Sequence, residues 1–173
     1  MPRWLSAHAP YACRHRGVCC GAGWPLPVER DVVAPIDEAL TAGRVRTADG
    51  DPRWVTPHAA APPGLAGVLR LLPDGHCVFH QPPRPGAPRA CAVHGALGHA
   101  RLPAACQHFP RVCLIDGRGV HVTLSHACPT AAGLLAADEE ALAIVEGPPP
   151  VPGRGCRGTG RRPRGIRPAS PPP

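Results

Sequence analysis

Aromatic rings are the scarce material in this chain. Its 173 residues include three tryptophans, two phenylalanines and one tyrosine, against 26 prolines and 20 glycines that interrupt helices and weaken strands. Hydrophobic residues still make up 43%, so a globular core is within reach and wholesale disorder is not indicated. That core must be built from Ala, Val and Leu, which bury less area per residue than rings do. A second source of cohesion is expected, and nine cysteines are the candidate.

Several classes are excluded or disfavoured. No apolar run approaches the ~18 residues that span a bilayer, so no membrane role is expected. The opening stretch, Met1 to Pro10, has one arginine but no apolar segment behind it, which argues against a secretory leader. An odd cysteine count without a leader argues for a reducing compartment, the cytoplasm, where clustered cysteines bind metal or do redox chemistry. The net charge of +7 comes from the end of the chain: after Glu146 there are six arginines and no acid, while residues 1–146 hold 13 arginines against 12 acids. No specific nucleic-acid partner is expected from that balance. The partner is expected to be a protein or small molecule that the sequence does not identify.

Apolar Val28, Val32, Ile36 and Leu40 recur every four residues between Pro27 and Arg46, which predicts an amphipathic helix bent or split at Pro35 and stopped at Gly43. A short strand is expected near Arg53 to Val55. Two hairpins follow: Gly67 to His80 around Pro73-Asp74-Gly75, and Val112 to Leu124 around Asp116 to Gly119. Short helices are expected at Cys91 to Gly98 and Ala104 to Phe109, then one or two more from Pro129 to Val145, the last capped by Asp138. The reading is a small, irregular, cysteine-rich α+β domain over 1–146, with two β-hairpins and several short helices. Residues 147–173, rich in Pro, Arg and Gly, form a tail that cannot pack.

The cysteines stand at 13, 19, 20, 77, 91, 106, 113, 128 and 156. Their spacing is not that of a zinc ribbon or a ferredoxin. The adjacent pair Cys19-Cys20, after Cys13 and Gly17, stands out: neighbouring side chains point apart and can serve two metal sites or two irons of one cluster. Thiolates are soft donors suited to zinc, iron–sulfur clusters or Cu(I).

The segment Tyr11-Ala-Cys-Arg-His-Arg-Gly-Val-Cys-Cys20 resembles the C-x2-C-G-x-C-C opening of the YkgJ-like cysteine-cluster proteins, a zinc- or iron-chelating family with flagellin lysine N-methylase FliB as a distant relative. Cys77-Val-Phe is similar to the family's C-x-F-L element. Cys91-Ala-Val-His, followed by Leu102-Pro-Ala-Ala-Cys-Gln-His-Phe-Pro110, resembles C-x-I-Y…R-P-x-x-C-R-x-F-P. Leu124-Ser-His-Ala-Cys-Pro129 is similar to a later cysteine in part of the family. The resemblance covers residues 11–135 and implies metal binding. It departs at Arg16, where the family has its second cysteine, and at Leu102, where it has arginine. No Gly-rich nucleotide fingerprint accompanies it, so methylase activity is not carried over.

The grouping also makes sense from the residues. Cys13, Cys19 and Cys20 lie on a glycine-containing loop whose backbone N–H groups can approach metal-bound sulfur. Cys77 follows a hairpin turn, and Cys91 and Cys106 flank a short helix. Metal drawing these segments together would supply much of the folding free energy. The ligand set is therefore Cys13, Cys19, Cys20, Cys77, Cys91, Cys106 and Cys128, the cofactor iron or an iron–sulfur cluster with zinc as the alternative. Cys113, alternating on a strand, reads as core, and Cys156 in the tail as a free thiol. Among histidines, His126 is the first candidate ligand; His80, His94 and His108 read as neighbours of ligands or as surface. Two functions stay open: a redox or group-transfer enzyme, and a structural or zinc-chelating module without turnover.

Overall fold

The computed structural model describes residues 1–59, 61–81, 90–137 and 142–148. In chain order the elements are β1 (Arg3–Leu5), β2 (Pro27–Glu29), α1 (Arg30–Thr41), β3 (Val55–Thr56), β4 (Leu65–Leu69), α2 (Ala92–Leu97), α3 (Ala104–His108), β5 (Arg111–Asp116), β6 (Gly119–Leu124), α4 (Pro129–Ala137) and β7 (Ile144–Glu146), with 3-10 turns at Ser6–His8, Val18–Gly21 and His99–Arg101. Two sheets and four α-helices give a mixed α/β architecture, compatible with the α+β expectation. Among the described residues no helix is long and apolar enough to cross a membrane.

The larger sheet runs β5-β6-β1-β7, with β1 parallel to β6 and antiparallel to β7. The smaller runs β2-β4-β3, all antiparallel, with a bulge between Val28 and Glu29. The main core lies between the smaller sheet and α1. Val32, Ile36 and Leu40 form one helix face with Val33 and Ala39, and pack with Val28, Trp54, Leu69, Val78 and Phe79. Trp54 contributes both area and a fixed polar contact, since its Nε1 donates to Asp37 Oδ1 at 2.7 Å. Arg70 ties the loop below to the sheet through two bonds to Asp49, at 2.6 and 3.0 Å. A smaller cluster of Leu124, Cys128 and Ala131, with Tyr11 and Phe109 against it, sits under α4.

Three elements differ from the sequence reading. The first helix begins at Arg30 because Pro27–Glu29 pairs with β4; Pro35 lies inside it, and it ends before Gly43. The expected hairpin at 67–80 keeps its turn, where Gly75 N donates to Leu72 O, but pairs only at Leu71 and Cys77. Its first arm is instead the middle strand of the smaller sheet, where two partners already use both edges. The helix expected to reach Val145 gives way to β7, whose Ile144 and Val145 pair with Leu5 and Trp4; β-branched residues fit that edge well. Asp138 lies outside the described residues, as does the tail from 149 onward, including Cys156. The second hairpin, α2 and α3 follow the expectation.

Candidate functional site

The loop from Cys13 to Gly21 reaches the core through glycine. Gly17 adopts φ +73 and heads the turn Val18–Gly21, with Cys20 N donating to Gly17 O at 2.8 Å. A Cβ on Gly17 would lie 2.5 Å from Ala90 Cβ and 2.8 Å from His80 Nε2, so only glycine lets the loop dock here. Two bonds complete the docking: Ala90 N donates to His15 O at 3.2 Å, and Cys77 N to Cys20 O at 2.7 Å. The His76 and His80 rings stack at 4.8 Å beside this contact.

The loop roofs a cavity of about 1060 Å³ whose walls carry Cys13, Cys19, Cys20, Cys77, Cys91, Cys106 and Cys128. These seven cysteines are free thiols and come from widely separated segments. Three already accept a backbone N–H: Cys13 from His15 at 3.4 Å, Cys77 from Phe79 at 3.4 Å and Cys91 from His94 at 3.5 Å. The Cys91 sulfur thereby caps α2. Bonds of this type favour the thiolate over the thiol and tune metal–sulfur centres.

Electrostatics divides the seven into two groups. Cys19, Cys20, Cys77, Cys91 and Cys106 influence one another's ionisation. A hydrogen bond from the Cys20 thiol lowers Cys19 to about 7. The same bond, then burial and the charges of Cys19, Cys91 and Cys77, pushes Cys20 up. Burial raises Cys77 to about 11, with the charges of Cys91 and Cys19 adding to it. Burial also raises Cys91 and Cys106, followed for Cys106 by the charges of Cys91, Cys77 and Cys19. Cys13 and Cys128 belong instead with Tyr11, whose hydroxyl stands 3.6 Å from Cys128 Sγ. Burial and then contacts with Cys128 and Cys13 push the phenol up.

The donor set fits a soft metal or a cluster by chemistry and by number. Its spacing is open: among the described residues no three His, Cys, Asp or Glu side chains stand close enough to hold a metal ion. Loading a metal here would require the walls to close inward, which would couple binding to folding. His94 and His108 line the cavity, joined by His15 and His99; His80 abuts Gly17, and His126 is exposed away from the lining. Cys113, expected in the core, is exposed on the outer strand β5 and is disulfide-bonded. Sequence reasoning missed Tyr11, His15, His99 and Arg111 in the lining. The resemblance itself begins at Tyr11, which was the available signal for that residue. Compared with family models, curated proteins and solved structures, the chain matches none.

Proposed function

We propose that this chain is a YkgJ-like metal-binding protein that holds iron, as cysteinyl iron or an iron–sulfur cluster, through the thiolates lining its cavity. The observation that carries the reading is the convergence of seven free cysteines on one cavity, five of them close enough to shift one another's ionisation. Seven donors exceed the four that close a structural zinc site, which favours a cluster or more than one metal. Cys19, Cys20, Cys77, Cys91 and Cys106 would form the inner ligand group, and Cys13 and Cys128 the outer one beside Tyr11. Bound iron would supply electron or group transfer. The chain's own residues bury Cys77 and Cys128, half-bury Cys20, Cys91 and Cys106, donate backbone N–H groups to Cys13, Cys77 and Cys91 and dock the loop through Gly17.

Anaerobic purification with metal analysis and a visible absorption spectrum tests the reading. The expected result is a brown protein carrying stoichiometric iron that air bleaches. A colourless protein with stoichiometric zinc would overturn iron in favour of a zinc-chelating module. Purification without any metal, together with failure to take up iron or zinc under reducing conditions, would overturn thiolate binding itself.

A further inference from the structure

One end of the cavity is not explained by the thiols. Arg111, the first residue of β5, lines it with only 8% of its surface exposed. Among the described residues its Nε has no hydrogen-bond partner, and no carboxylate pairs with its guanidinium. Its side-chain contact is Nη2 to His108 Nδ1, at 3.5 Å. An unpaired buried charge is strongly unfavourable. Burial pushes its pKa down. Among the described residues the lining adds Arg14, Arg16 and four histidines, and no Asp or Glu.

A guanidinium's forked donors match the oxygens of a carboxylate or phosphate. The Phe109 and Trp24 rings, which line the same cavity, meet at 5.4 Å as an apolar wall, and a volume near 1060 Å³ is that of a small-molecule site rather than an ion site. We propose that Arg111 and His108 form an oxyanion site, and that the cavity takes a small organic acid, a carboxylate or phosphate ester, with its apolar body against Phe109 and Trp24. The inference is independent of the metal reading, since it rests on Arg111 and the acid-free lining rather than on the thiols.

The test is a thermal-shift and calorimetric titration of the protein as purified, shown by its cooperative melting to be folded, with inorganic phosphate, phenyl phosphate, phenylacetate and neutral phenylacetamide. The expected result is a saturable rise in Tm with phenyl phosphate or phenylacetate, weaker with inorganic phosphate and absent with phenylacetamide. Which of the two aromatic acids binds more tightly identifies the head group. Arg111→Met, close in length and without charge, is expected to weaken that binding by about tenfold or more, and Arg111→Lys to retain part of it. The proposal is overturned if neither acid binds saturably, if phenylacetamide binds as well as phenylacetate, or if a folded Arg111→Met variant binds like the wild type. The acid-against-amide comparison needs no variant and decides the matter even if Arg111→Met fails to fold.

Discussion

Replacing Gly17 by alanine is expected to destabilise the chain by about 2–5 kcal/mol, in two separable parts. The left-handed φ of +73 costs an L residue about 1–2 kcal/mol. The remainder, about 1–3 kcal/mol, is overpacking: the new Cβ would meet Ala90 Cβ at 2.5 Å and the His80 ring at 2.8 Å. Ala90 cannot rotate its Cβ away, and its N–H is bonded to His15 O. Relief therefore means lifting the loop and breaking that bond. Gly23 is the internal control: its φ is +70, yet a Cβ there meets nothing within 4 Å. Gly23→Ala should show the conformational part alone, about 1–2 kcal/mol. Urea unfolding of both variants under reducing conditions measures the difference. The rate at which a thiol reagent reaches the half-buried Cys20 and the buried Cys77, whose N–H is bonded to Cys20 O, measures whether the loop has lifted. If the two variants agree within about 0.5 kcal/mol, or if Gly17→Ala leaves thiol reactivity unchanged, the docking argument fails.

Further outcomes follow from the same structure. Cys77 is held protonated by burial, its pKa raised from 9.0 to about 11. The folded state thus binds this proton more tightly than the unfolded one: the gain is complete below about pH 9 and is lost as pH rises through about 11. Cys77 alone should contribute about 3 kcal/mol to the urea stability lost across that window, so a Cys77→Ala variant should lose about that much less than the wild type. Replacing Cys13, Cys20, Cys77, Cys91 or Cys106 by serine should abolish metal loading, measured by metal analysis, whereas Cys113→Ser should leave it intact; full retention in any two of the first five would show the ligand set to be wrong. Trp54→Ala, at a side chain 2% exposed, should cost about 3–5 kcal/mol in urea unfolding; a loss below about 1 kcal/mol would mean that Trp54 does not carry the core.

Local signals explain what was legible in the sequence. The hairpin of β5 and β6 is written in alternating residues around Asp116-Gly117, and α3 in the prolines that bracket it. The seven cysteines that line the cavity were recognisable from their clustering at the start and their order thereafter. Elements defined by distant partners were not legible. Arg3–Leu5 is three residues with no pattern of its own, and it becomes a strand because β6 and β7 flank it. Val68 to Leu72 reads as one arm of a hairpin because the turn after it is strong, but β2 and β3 compete for the backbone up to Leu69 and win. The division of the thiols into an inner five and a pair beside Tyr11 depends on side-chain packing across the cavity, which spacing along the chain does not encode. Cys113 has the alternation of a core position, yet β5 is an outer strand and its side chain is exposed.

The pairing of β1 with β7 sets an order for biosynthesis. Arg3 and Glu146 are bonded partners 143 residues apart, so the larger sheet stays incomplete until nearly the whole described chain has left the ribosome. Closing so wide a loop is slow compared with local turns and helices. The smaller sheet and α1 need only residues up to Leu69 and can assemble first. The Cys13–Cys20 loop, by contrast, follows β1 directly and waits for Cys77, Cys91 and Cys106 to be synthesised. During that interval its thiols are open to oxidation or to scavenged metal, and the nascent chain depends on the redox state around it more than the finished fold does.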